Sequence, residues 1–170
     1  MVPSASVRPS EFLPELGASL IAVATPFPVF KGLPAERLAA LLEEAQYEAY
    51  PKGAELFQQD EPSHAFFLLL RGHLRVTRLT PDGQQVVVRF ISTGEFFGLS
   101  APLGRTSYPA TATAVVDSIA LSWPSTLWPR LQAEPQLLDI YQRFEMPTSR
   151  VLQRIERNGV LVDASLLQQQ

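Results

Sequence analysis

The side chains best suited to hold a metal or a cofactor are the two histidines, because the chain contains no cysteine. Without cysteine there can be no disulfide, thiolate zinc site, iron–sulfur cluster or thiol nucleophile. His64 and His73 stand on either side of a bend predicted at Arg71-Gly72. Two imidazoles are too few for an enzymatic metal site inside a β-structure, which needs several histidines and a carboxylate.

No other combination of side chains indicates catalysis. The sequence shows no Ser-His-Asp set and no carboxylate pair arranged for acid–base chemistry. The adjacent acids Glu43-Glu44 and Asp60-Glu61 are typical of solvated charges at the ends of secondary-structure elements. We therefore expect no catalytic residue, no metal site and no enzymatic activity.

Composition limits the partners that the chain can bind. Apolar residues make up 46% and charged residues 18%, which is typical of a globular domain with a core. The net charge is −3, so any DNA contact requires a local basic surface. No apolar run is long enough to span a membrane, and the N-terminus lacks the features of a signal peptide. We expect a cytoplasmic protein without a membrane partner.

The elements that would position these side chains follow from apolar periodicity. Prolines interrupt the first twenty residues, which predicts a loose tail. Leu38, Leu41, Leu42 and Ala45 then fall on one helical face. From residue 47 to 123 short alternating runs are separated by turn residues, which predicts an all-β sandwich or roll. The strongest hairpin signal is 81–83 (PDG). After residue 123 the pattern becomes helical again.

Four ordered motifs within this region resemble the cyclic nucleotide-binding domains of the CRP/FNR family of transcription regulators. They are 51–62 (PKGAELFQQDEP), 66–76 (FFLLLRGHLRV), 80–85 (TPDGQQ) and 94–98 (GEFFG). The resemblance covers residues 27–145 and implies a mainly β fold with flanking helices. That fold is a double-stranded β-helix, or jelly roll, followed by C-terminal helices.

The resemblance also implies an effector pocket after the second glycine of the last motif. Family members that bind cyclic nucleotides have a glutamate there that contacts the ribose. An arginine and a small hydroxylated residue then contact the phosphate. Here Leu99-Ser100 follow that glycine, and Tyr108-Pro109 occupy the positions of the arginine and its neighbour. We expect that cyclic AMP does not bind. The alternative is that Arg105, three residues upstream, compensates through a rearranged loop. The expected pocket residues are Phe97, Gly98, Leu99, Ser100, Tyr108, Pro109, Ala110 and Thr111.

Two stretches, 61–67 and 108–116, resemble the denitrification branch of the family, whose members respond to nitric oxide through haem. Haem iron takes an axial His, Met, Cys or Tyr. His64 and His73 are the candidate haem ligands on this interpretation. The alternative is that His64 caps the loop before a strand and that His73 lies on the solvent face of a hairpin.

The C-terminal residues suggest dimerisation and a reduced DNA-binding part. Leu137, Leu138, Tyr141 and Phe144 form one helical stripe, which fits a dimer seam or packing on the same chain's roll. Residues 148–161 resemble the family's recognition helix, although its supporting helix has no room upstream. They could equally continue the dimer helix. The candidate DNA contacts are Ser149, Arg150, Arg154 and Arg157.

We accordingly divide the chain into an N-terminal tail (1–24), a sensory β-roll (25–134), a dimer helix with a recognition-helix remnant (135–158) and a C-terminal tail (159–170). The expected function is effector sensing that controls DNA binding through a homodimer, with RNA polymerase as a further partner. The alternative is a stand-alone module that forms inactive heterodimers with a full-length relative.

Overall fold

The computed structural model describes residues 6–7, 16–101 and 103–132. The helices are α1 (Leu16–Ala24), α2 (Ala35–Glu43) and α3 (Trp128–Gln132), with 3-10 turns at Pro28–Phe30 and Ser125–Leu127. The strands are β1 (Ser6–Val7), β2 (Gln46–Tyr50), β3 (Glu55–Phe57), β4 (Ala65–Arg71), β5 (His73–Leu79), β6 (Gln85–Ser92), β7 (Phe96–Phe97), β8 (Thr111–Ala114) and β9 (Ser118–Pro124).

The strands form two antiparallel sheets. One has the order β1-β2-β9-β4-β7 and the other the order β3-β8-β5-β6. Neighbours such as β4 and β9 are distant in sequence, which is how a jelly roll connects its strands. The predicted class, a mainly β jelly roll with flanking helices, is confirmed.

Strand β4 divides the core into two apolar clusters. Phe66, Leu68 and Leu70 pack in a helix-side cluster with residues of α1 and α2. Phe67 and Leu69 point the other way, into an inter-sheet cluster between the two sheets. Because both faces of β4 are buried, its sequence is a continuous apolar run rather than an alternating one.

Trp123 of β9 fastens helix α2 to the larger sheet. Its side chain is fully buried and stacks on Phe66, with ring centroids 5.5 Å apart. The indole N–H donates a 2.7 Å hydrogen bond to the carbonyl of Leu41. The α2 residues that meet this sheet are those that the helical periodicity predicts to be buried.

The N-terminal segment differs from the expected loose tail. Helix α1 buries Leu20 and Ala24 in the helix-side cluster, and β1 pairs with β2 through Ser6 and Val7. The prediction of a loose tail is wrong for these residues. Within the first 25 residues, prolines occur only at positions 3, 9 and 14, and the apolar stretch that follows them becomes helical because the sheet provides a surface to cover.

The hairpin predicted at Pro81-Asp82-Gly83 joins β5 to β6. The N–H of Gly83 donates to the carbonyl of Thr80 at 2.9 Å, and Gly83 has a φ of +84°. After residue 123 the chain becomes helical as predicted, first as the 3-10 turn at Ser125–Leu127 and then as α3 from Trp128.

The expected dimer seam, 137–144, and the expected DNA contacts, 149–157, lie outside the described residues. Within the described part, no helix is long and apolar enough to cross a membrane.

Gly72 lets the backbone between β4 and β5 pass against β9. A Cβ at this position would lie 2.7 Å from the Cα of Ser118, and its φ is +106°. We predict that Gly72→Ala lowers the free energy of unfolding by roughly 3 kcal/mol, from strain plus overpacking. Gly83→Ala is the matched control, because nothing lies within 4 Å there, and should cost about 1 kcal/mol. Equal losses in urea denaturation would contradict the close approach.

Candidate effector site

The segment that the resemblance assigns to the effector connects β7 to β8. It starts at Gly98, whose φ is +69° and whose Cβ position lies 2.9 Å from Cδ2 of Phe67. A single turn follows, in which the N–H of Arg105 donates to the carbonyl of Ser100 at 2.9 Å. Glycine is needed at position 98 because the chain enters this turn directly against the inter-sheet cluster.

Tyr108 ends that turn with its side chain inside the roll. The residue is fully buried. Its hydroxyl donates a 2.6 Å hydrogen bond to the carbonyl of Ala65 and accepts a 3.1 Å hydrogen bond from the N–H of the same residue. Tyr108 therefore holds both hydrogen-bonding groups of the first residue of β4.

The ring of Tyr108 belongs to an aromatic group that fills the space between the sheets. It stacks on Phe57, with centroids 4.0 Å apart and an interplanar angle of 18°. Phe67 lies 5.6 Å from Phe57 and 5.1 Å from Phe97, and both pairs are stacked. Where a phosphate site would need a cation, this part of the interior contains four aromatic rings.

Three backbone hydrogen bonds and one from a serine hydroxyl attach the end of the effector segment to the loop before β4. They join residues 105–108 to residues 60–63. The bonds are Tyr108 N–H to Glu61 carbonyl (2.9 Å), Asp60 N–H to Tyr108 carbonyl (2.8 Å), Ser63 N–H to Thr106 carbonyl (2.9 Å) and Ser63 Oγ to Arg105 carbonyl (3.0 Å). Tyr108 is thus fixed by its backbone as well as by its hydroxyl.

The eight expected pocket residues lie at the two ends of the segment between β7 and β8, in the runs 97–100 and 108–111. Phe97, Leu99, Ser100, Tyr108 and Ala110 are buried, and Gly98, Pro109 and Thr111 are partly buried. The hydroxyl of Thr111 accepts a hydrogen bond from the N–H of Gln59 at 2.9 Å. Their role in binding an effector stays a prediction.

A polar group that sequence reasoning missed also lies between the sheets. The carboxylate of Glu48 accepts hydrogen bonds from the Tyr50 hydroxyl and, at 2.8 Å, from the Ser122 hydroxyl. Burial, followed by this hydrogen bond to Glu48, raises the pKa of Tyr50 far above its ordinary value. The period of two in β2 places Glu48 and Tyr50 on one face, which is the signal that could have revealed the pair.

The two histidines do not converge. His64 precedes β4 and His73 follows it, so a strand of about 20 Å separates them. His73 stacks on Phe90, with centroids 5.4 Å apart. Nδ1 of the exposed His64 lies 3.1 Å from the carbonyl of Pro62, which leaves Nε2 facing away from it.

The contact of His64 with the Pro62 carbonyl is relevant to the prediction that a histidine ligates haem iron. A histidine that ligates a metal commonly donates its other ring N–H to a carbonyl, and His64 has that contact. If the chain holds haem, His64 would be the residue that holds the iron, and the haem would supply gas binding. Among the described residues, no group of three or more His, Cys, Asp or Glu side chains could hold a metal ion.

Comparison with known proteins gives the same fold and a related family. The family model of the cyclic nucleotide-binding domain matches residues 47–134. A CRP-like cAMP-activated global transcriptional regulator of Mycobacterium tuberculosis is 28% identical over 123 residues, 68% of this chain and 54% of that protein. A cyclic AMP receptor protein of Thermus thermophilus is 32% identical over 95 residues, 56% of this chain and 44% of that protein. The chain spans about half the length of these curated relatives.

Solved structures agree with these sequence relatives. The sensor domain of the transcriptional regulator DNR from Pseudomonas aeruginosa matches with a TM-score of 0.69 at 27% identity, covering 86% of this chain and 98% of that chain. A regulatory subunit of a cAMP-independent protein kinase A from Trypanosoma cruzi, bound to guanosine, shares the fold with a TM-score of 0.70 at 17% identity and covers 84% of this chain and 50% of that chain.

The hydroxyl of Tyr108 leads to a prediction about pH. Burial is the main cause that raises the pKa of Tyr108 above its ordinary value of 10.0. A raised pKa in the folded state adds stability below pH 10 that is lost as the pH rises further. Tyr108→Phe should lower the free energy of unfolding at neutral pH by about 1–3 kcal/mol. It should also flatten the fall in stability above about pH 10.

The partly buried Tyr47 provides a matched control for this variant. Tyr47 packs on the helix-side cluster, and Tyr47→Phe should change the free energy of unfolding at neutral pH by less than about 0.5 kcal/mol. Urea denaturation at several pH values measures both variants. If Tyr108→Phe were as stable as Tyr47→Phe, the hydrogen bonds between the Tyr108 hydroxyl and Ala65 would contribute nothing to the free energy of unfolding.

Proposed function

Because the chain belongs to the cyclic nucleotide-binding domain family, we propose that it is the sensory part of a CRP/FNR-type transcription regulator and responds to an effector other than cyclic AMP. Its role is then regulatory rather than catalytic. The resemblance to the sensor domain of DNR supports the finer proposal of a relationship to the nitric-oxide-responsive branch.

The observation that carries the proposal is the buried side chain of Tyr108. A cyclic phosphodiester has a permanent negative charge and needs a cation with several hydrogen-bond donors. Tyr108 is neutral, and its hydroxyl already bonds both backbone groups of Ala65. The next residue, Pro109, has no N–H to donate. Positions 108 and 109 therefore lack the charge and the donors that would balance the phosphate, and the cation of this segment, Arg105, lies three residues upstream of the position where the family has its arginine.

On this proposal, the chain differs in its effector from two relatives that respond to cyclic AMP. The Mycobacterium tuberculosis protein is cAMP-activated and the Thermus thermophilus protein is a cyclic AMP receptor. The shared sequence supports a common architecture for sensing. This chain differs from the family pattern at the positions that would contact the nucleotide. It therefore responds to a different ligand, or it is active without a ligand.

We predict that cyclic AMP and cyclic GMP give no saturable heat of binding when titrated into the protein at concentrations up to about 1 mM. The Mycobacterium tuberculosis relative is the positive control in the same buffer. Saturable one-to-one binding of cyclic AMP to this chain would contradict the proposed effector class.

Control of DNA binding is proposed to act through a dimer. The supporting features are the stripe at 137–144 and the basic residues at 150–157, both read from the sequence alone. RNA polymerase is a further proposed partner. The alternative is a stand-alone module that pairs with a full-length relative and inactivates it. A DNA mobility shift distinguishes the two, because a regulator binds a specific site at physiological salt.

We predict that Leu138→Asp or Tyr141→Asp converts a dimer into a monomer in sedimentation velocity, since a buried charge is costly in an apolar seam. Gln136→Asp is the control, because at about 100° per residue position 136 falls outside the stripe. The far-ultraviolet circular dichroism of the roll should be unchanged in all three variants. A dimer that survives both stripe variants would argue against a seam at 137–144.

A further inference from the structure

The side chain of Tyr108 makes two kinds of specific contact inside the roll, one polar and one aromatic. One polar atom, its hydroxyl oxygen, matches one donor and one acceptor on Ala65 at 3.1 and 2.6 Å. One flat face matches Phe57 at 4.0 Å. Through this stacking, the ring of Tyr108 connects residues 105–108 to the inter-sheet cluster.

We propose that the space between Phe57 and Ala65 is a binding site for a small, uncharged aromatic ring that carries a hydroxyl group, and that Tyr108 is its built-in occupant. This inference rests on the proposed function in taking the segment between β7 and β8 as the effector site. It names the chemical class of the effector, which must compete with the chain's own phenol.

The hydroxyl requirement follows from the backbone of Ala65. This residue begins β4, and its N–H and carbonyl point away from β9, because the hydrogen bond between the two strands at this end runs from the N–H of Ser125 to the carbonyl of His64. The Tyr108 hydroxyl pairs with both groups instead. A ring without a hydroxyl would leave both polar groups of Ala65 buried and unpaired, which is costly. An aromatic alcohol satisfies them both.

The preference for an uncharged ring follows from the surroundings. Burial is the largest cause that raises the pKa of Tyr108, and the nearby carboxylates of Glu61 and Glu48 act in the same direction. The hydrogen bond with the Ala65 backbone acts against them, but the net shift is upward. These surroundings therefore favour a neutral phenol over a phenolate, a carboxylate or a phosphate at this position.

An external ligand can take this position only if Tyr108 leaves it. Residues 105–108 are attached to residues 60–63 by the hydrogen bonds described above, and Asp60, Glu61 and Pro62 are solvent-exposed. Displacement of the ring would therefore release the segment between Gly98 and Ala110 from the roll. Ligand binding then favours the state in which Tyr108 has left the site over the state in which its ring fills the site.

The test is chemical rescue with p-cresol, which is the tyrosine side chain as a free molecule. Tyr108→Ala should lower the melting temperature by roughly 10 °C. Millimolar p-cresol should recover a large part of that loss. Toluene, which has the same ring and methyl group without the hydroxyl, should bind this variant roughly tenfold more weakly. Cyclic AMP should have no effect.

Phe90→Ala is the matched control for removing an aromatic ring. Phe90 is 53% exposed on β6, so its loss creates no enclosed site. p-Cresol should not raise the melting temperature of that variant. Equal rescue of both variants, or equal rescue of Tyr108→Ala by p-cresol and toluene, would overturn the proposed hydroxyl recognition.

A second measurement uses the wild-type protein and decides the matter if Tyr108→Ala does not fold. In ¹⁵N–¹H spectra, p-cresol should shift the amide resonance of Ala65 more than toluene does. No shift at Ala65 together with no rescue would refute the site. Neither readout involves DNA, dimerisation or cyclic AMP. A failure of the proposed regulator function would therefore leave these results unchanged, and the reverse also holds.

Discussion

The hydrogen bonds between the Tyr108 hydroxyl and the backbone of Ala65 join the effector segment to the central strand of the roll. Everything at the site depends on this contact, because it directs the ring between the sheets and against Phe57. With the ring there, residues 105–108 align with residues 60–63 and complete a ladder of backbone hydrogen bonds. A buried phenol without these partners would be costly, so the ring and the ladder form together.

The rest of the fold makes that contact possible. Strand β4 is buried on both faces, which fixes Ala65 relative to the inter-sheet cluster and to the helices behind the sheet. Gly98 lets the effector segment begin close to Phe67, because a Cβ at this position would lie only 2.9 Å from Cδ2 of that ring. A family that usually balances a phosphate charge here has, in this chain, a neutral aromatic interior. The effector that we propose, one other than cyclic AMP, rests on this difference.

Much of this could be predicted from the sequence, since apolar periodicity and turn residues locate helix α2, the strands and the hairpin at Gly83. The absence of an arginine at the phosphate position is also visible there. Helix α1 was missed because its burial depends on a surface made by distant strands. The bond of Tyr108 to Ala65 joins residues 43 apart in sequence and no local pattern encodes it. Glu48 was missed for the same reason, as its partner Ser122 is 74 residues away.

The most direct test of the central claim is hydrogen exchange at the amide of Ala65 in the ligand-free protein. If Tyr108 is seated in solution as described, this amide donates to its hydroxyl and should exchange as slowly as the amide of Leu68 in the middle of β4. Addition of cyclic AMP should leave the rate unchanged. Exchange as fast as that of the exposed turn residue Asp82 would show that the ring does not occupy the site, and would contradict the account.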